Sequence, residues 1–164
     1  MAAQSKYEEL ARQLSAIGAV KRELSRALPQ DCPPASAVVL MLLDRYGQMR
    51  MSKLAELMTI DVSVTSRHVA HVEARGWIDR RPDPLDGRSR LLRLSAGGEE
   101  LLSQVTARYT EALASHLSDW SDDDVGRLNE LLARLRAGFG EPRPRTPTPT
   151  HAHAHAHAHA HTNA

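Results

Sequence analysis

Apolar residues at Leu10, Leu14, Ile17, Val20, Leu24 and Leu28 recur every three or four positions, which draws one stripe along a helix over about 4–28. "DCPP" at 31–34 interrupts it, because a residue before proline avoids helical geometry. Over roughly 35–46 the run "SAVVLMLLDRY" is apolar on nearly every side, so this helix belongs in the centre of a domain, and Gly47 ends it. "MRMSKLAELM" reads as a short extended piece and then a helix with Ser52 as N-cap. Asp61 is placed to cap a further helix of about four turns that stops at Gly76. "WIDRR" and "LLRL" are short strands on either side of a Pro-Asp-Gly turn. Ser95 opens a long helix to about Trp120, striped by Leu102, Val105, Tyr109, Leu113 and Leu117. Ser121, followed by three aspartates that suit the positive end of a helix, opens the last one, which stops near Gly138.

From Glu141 the pattern disappears. "EPRPRTPTPT" and the alternating "HAHAHAHAHAH" cannot bury a core, so 141–164 reads as a disordered tail and 1–140 as one domain. The expected fold class is mainly α with a small β-hairpin.

Two short helices, 52–58 and 62–75, joined by a few residues and followed by a hairpin make a helix-turn-helix with a wing. In the second helix Thr65, Val69 and Val72 recur at one face and should point to the core. The other face then offers Ser63, Ser66, Arg67, Ala70 and His71, with Val64 beside them: small residues that let a helix approach base edges, and an arginine able to bond guanine.

Charge sharpens this picture only locally. The whole chain is +1, but residues 45–93 hold ten Lys/Arg against six Asp/Glu, a difference of +4. Arg80, Arg81, Arg88, Arg90 and Arg93 gather at the hairpin, while acidic residues collect later, at Asp119 and Asp122–Asp124. A single cysteine, Cys32, excludes an internal disulfide and suits a reducing compartment. With no signal-peptide pattern and no apolar run near 18 residues, the expectation is a cytoplasmic protein without a membrane partner. No local catalytic motif, phosphate loop or cofactor motif is present, so neither an enzyme nor a cofactor is expected.

The stretch "LAELMTIDVSVTSRHVAHVEARGWIDRRPDPLDGRSRLLRLSAGG" resembles the MarR family of winged-helix transcriptional regulators. Leu54, Ala55, Leu57, Arg67, Val69, Glu73, Gly76, Arg81, Pro82, Asp86, Arg88, Leu94, Ser95 and Gly98 carry the likeness, while Val62 and Val72 depart conservatively from the family pattern. The resemblance covers about 4–138. It implies a DNA-binding lobe over 35–95 and dimerisation helices at 4–28 and 96–138. Its expected partners are double-stranded DNA, a second copy of the chain and a small-molecule effector, the chain acting as a repressor released from a palindromic operator. On that pattern Arg88 is the wing arginine that enters the minor groove, and Asp86 orients it or pairs with a neighbouring arginine. Arg50, Lys53, Arg80, Arg81 and Arg90 are phosphate clamps or plain surface charges.

Other chemistry stays open beside this. The tail histidines His151, His153, His155, His157, His159 and His161 could chelate nickel or zinc, which would make a metal-binding or storage protein. Cys32 could make the regulator redox-responsive, although Asp31 beside it opposes thiolate formation. His68 and His71 have a possible metal-ligand spacing on the recognition helix. The winged domain could also serve protein–protein contact.

Overall fold

The computed structural model describes residues 2–140, so the expected tail at 141–164 and its histidines lie outside the described residues. Seven helices and three strands follow in order: α1 (Ala2–Ala16), α2 (Gly18–Arg26), α3 (Pro34–Tyr46), β1 (Met49–Arg50), α4 (Met51–Met58), α5 (Val62–Ala74), β2 (Ile78–Asp83), β3 (Asp86–Leu94), α6 (Ala96–His116) and α7 (Asp122–Gly138). The sheet is antiparallel with order β1-β3-β2. The architecture is mainly helical with a β wing.

The central helix is the expected one. Pro34 occupies its first turn, where a missing N–H costs nothing. Ala37, Val39, Leu40 and Leu43 are buried against α4, α5, α6 and β3. Leu54, Val69, Val72, Ile78, Leu92, Leu101 and Val105 complete the same core, so the helix pair, the sheet and the start of α6 share one interior. At the junction of β3 and α6, Ser95 Oγ accepts from the Gly98 N–H (3.1 Å) and donates to the Gly76 carbonyl (2.5 Å). A Cβ on Gly98 would stand 2.0 Å from the Trp77 carbonyl oxygen, so only glycine lets α6 lie this close to the chain entering β2.

Several boundaries differ from the sequence reading. The first helix is interrupted at Ile17, although the Ile17 N–H still reaches Gln13 O and the Lys21 N–H reaches Ile17 O. Ser52 is no N-cap: β1 pairs Arg50 with Leu91 and carries the extended chain straight into α4, leaving Ser52 inside the first turn. Asp61 does occupy a cap position, but its side chain makes no capping bond; its carbonyl instead receives Thr65 Oγ1 at 3.0 Å. The strands are longer than expected, since each completes the other's hydrogen bonds well into the arginine-rich turn. Helix α6 stops at His116 rather than near Trp120. Ser121 and Asp124 form a reciprocal capping box on α7, as the sequence suggests.

Candidate nucleic-acid interface

The site is built from α4, α5 and the wing. Between the helices Thr59 adopts a left-handed conformation (φ 56°), which turns the chain sharply, and its N–H bonds Glu56 O. With Leu54 and Ala55 of α4 and Thr65, Val69 and Val72 of α5 buried, the opposite side of α5 must face out. Ser63, Ser66, Arg67 and Ala70 are exposed there, as expected.

His71 departs from that row. Val64, His68 and His71 follow one another at i, i+4, i+7 and form a half-buried border between the open face and the core face. The His71 ring meets Trp77 edge-on, with centroids 6.2 Å apart, and its Nε2 is enclosed without a hydrogen-bond partner. Trp77 follows the helix and covers its last turn, a placement that helical periodicity alone does not include. Among the described residues no cluster of three or more metal-ligating side chains accompanies His68 or His71.

The wing is braced by two aspartates. Asp83, only 6% exposed, accepts from Arg50 Nε (2.7 Å) and Nη2 (2.6 Å) with one oxygen, and from the Leu85 N–H (2.9 Å) with the other. Asp86 accepts from the Arg88 backbone N–H (3.1 Å) and from Ser89 Oγ (2.7 Å). The Leu85 amide and then the Arg50 guanidinium hold the Asp83 carboxyl below its ordinary range. The Ser89 hydroxyl and the Arg88 amide do the same for Asp86. Asp86 therefore orients Arg88 through its backbone and makes no bond to its guanidinium. Its other neighbour is Arg50 Nη2, at 3.7 Å. Between the pairs Pro82–Arg90 and Asp83–Asp86 the register shifts, so residues 87–89 of β3 have no opposite number on β2. Arg88 sits in that excess.

The arginines divide into two groups. Arg50 is held by Asp83, Arg80 by both oxygens of Glu73 (2.9 Å each) and Arg93 by Asp79 (3.1 Å). Lys53 meets Glu56 at 2.8 Å on the surface, a pair of little strength. Arg67, Arg81, Arg88 and Arg90 make no ion pair among the described residues. Sequence reasoning missed Asp83, and it placed Arg50 among phosphate clamps or plain surface charges rather than as the partner of this aspartate. The Asp-Pro step of "DPLD" is a turn signal that marks Asp83, but nothing local ties it to a residue 33 positions earlier.

Cys32 is 2% exposed. Burial pushes its thiol up, and the Asp31 charge adds to this, so the environment opposes a reactive thiolate.

The MarR family profile matches residues 33–89, from the start of α3 through Arg88 to Ser89 in the wing. The chain is 34% identical over 105 residues to YxaD, an HTH-type transcriptional regulator of Bacillus subtilis, spanning 64% of this chain and 73% of that one. The chain belongs to the MarR family. It is also 26% identical over 108 residues to the multiple antibiotic resistance protein MarR of Salmonella typhimurium, covering 65% of this chain and 75% of that protein. Its fold matches apo wild-type MarR from E. coli with a TM-score of 0.67 at 24% identity, over 77% of this chain and 96% of the other. A cysteine-to-serine MarR variant from E. coli complexed with operator DNA matches with a TM-score of 0.61 at 23% identity, over 79% and 95%. As a MarR-family winged helix-turn-helix protein, this chain has α4 and α5 as its helix pair and β2–β3 as its wing. No described helix is long and apolar enough to cross a membrane.

Proposed function

We propose that this MarR-family regulator is a cytoplasmic homodimeric repressor that binds a palindromic operator. Ser63, Val64, Ser66 and Arg67 of α5 read the major groove, and Arg88 enters the adjacent minor groove. Arg81, Arg90 and Lys53 meet phosphates, with Asp86 bracing the wing and His71 contributing from the border of the helix. The observation that carries this reading is the sorting of the arginines. Arg50, Arg80 and Arg93 are neutralised by carboxylates, while Arg67 on α5 and Arg81, Arg88 and Arg90 on the wing are left without acidic partners among the described residues. Unpaired guanidinium groups on a helix-plus-wing surface suit a phosphate backbone. By family likeness a small aromatic or anionic effector binds between the dimerisation helices and the DNA-binding lobes. It lowers operator affinity by its differential binding to the two spacings of the recognition helices. Two-fold symmetry sets the half-sites about one helical turn apart.

Arg88→Ala tests the reading. On a duplex selected by the wild type from a random pool, affinity at fixed salt should fall more than tenfold while the dimer persists, and the salt slope should drop by about one. An unchanged affinity would sink it.

A further inference from the structure

Leu85 stands at the tip of the wing with 92% of its surface exposed, more than any other large apolar side chain among the described residues. A lone exposed leucine is ordinary on a protein surface. This one is presented by a built turn. Its N–H is held by Asp83, which Arg50 clamps from β1, and Pro84 restricts the residue just before it. Asp86 then ties down Arg88 and Ser89. The backbone entropy of the tip is already spent, so Leu85 is held out in water by the turn and the backbone gives up little more on contact. The charges around it are the second observation: Arg88 and Arg90 follow within a few residues and have no anionic partner among the described residues. An apolar tip flanked by unpaired guanidinium groups complements a narrow groove with phosphate walls and a floor of sugar and base edges. Apolar side chains in the minor groove pack on that floor and can open a base step.

We propose that Leu85 is a specificity-determining residue, inserted with the wing into the DNA minor groove. There it favours A·T pairs, which lack the guanine amino group that stands in the groove. This rests on the DNA-binding reading above. The probe is a duplex selected from a random pool by the wild-type chain, titrated with wild type, Leu85→Ala, Leu85→Asn and Leu85→Met at several salt concentrations. Leu85→Ala and Leu85→Asn should bind on the order of tenfold more weakly with an unchanged salt slope, because leucine neutralises no phosphate, and Leu85→Met should retain affinity. Replacing adenine by diaminopurine where the wing lies adds an amino group to the groove. It should cost the wild type several-fold more than it costs Leu85→Ala. An unchanged melting temperature in all variants confirms that the fold is intact, as 92% exposure requires. Wild-type affinity in Leu85→Ala, on a duplex the wild type binds with steep salt dependence, overturns the assignment and leaves the DNA-binding reading standing. A wild-type chain with no salt-dependent duplex binding overturns that reading itself.

Discussion

Gly98 and Asp83 act through neighbours that lie far away in the chain. At Gly98 the missing Cβ leaves room for the Trp77 carbonyl, and the backbone there cannot yield without moving β2 or α6. Gly98→Ala should therefore cost about 2 kcal/mol or more, in the range of overpacked cores, read as a fall in the urea midpoint at constant slope. Asp83 is a charged residue that sequence reasoning passes over, because its value lies in a distant partner. Arg88 and Asp86, by contrast, are singled out by the motif, and the structure joins them through the Arg88 N–H. The chain bends the expectation for Asp86 only in detail, bracing the arginine's backbone rather than its guanidinium. His71 shows the limit of helical periodicity: the sequence reading sets it on the open face, yet it lies on the half-buried border, where Trp77 from beyond the helix closes over it.

Among the elements, the wing is braced by two ionised aspartates. Both aspartates have folded values below the ordinary carboxylate value, roughly 3.9 in an unfolded chain. A lowered folded value means that their contribution is fully present above the unfolded value and is lost as pH falls through the folded one. The wing should hold its structure from pH 5 to 8 and loosen only in acid below about pH 4. Amide exchange at Leu85 and Arg88 measures this: protection should be level through the neutral range, then fall in acid beyond the change expected for a free amide. Asp83→Asn should show the loosened exchange already at pH 7. The helices at large were readable because their stripes and caps are local, with Ser95 and the Ser121–Asp124 box as the clear cases. The strands were underestimated, since ladder hydrogen bonds join residues that no window compares.

At the scale of the whole molecule, the first and last described helices leave apolar stripes open. Helix α7 has 17 residues and buries none of them, and Leu128, Leu131 and Phe139 are exposed along or just beyond it. Tyr7, Leu10, Leu14 and Ile17 are exposed in the same way on the N-terminal helix. Isolated helices of this length are marginal in water, and on the homodimer proposed above a second copy of the chain covers these two stripes. Sedimentation should find twice the 18.1 kDa chain mass for the wild type. Leu14→Glu combined with Leu131→Glu should give the single-chain mass, reduced helix content and a loss of duplex affinity. A double variant that remains at the dimer mass would remove these helices from the interface.

Periodicity and the Pro-Asp-Gly turn were enough to place the hairpin, the family motif and every helix but the break at Ile17, because each rests on interactions within a few residues. Three features waited for the folded chain: the Arg50–Asp83 clamp, the enclosure of His71 by Trp77, and the separation of bound from unpaired arginines. Each joins residues from different elements, and charge or burial at such a site depends on what arrives from elsewhere in the chain. Sequence composition counted five arginines at the hairpin as equals; tertiary structure spends two of them on carboxylates and leaves Arg81, Arg88 and Arg90 for a partner.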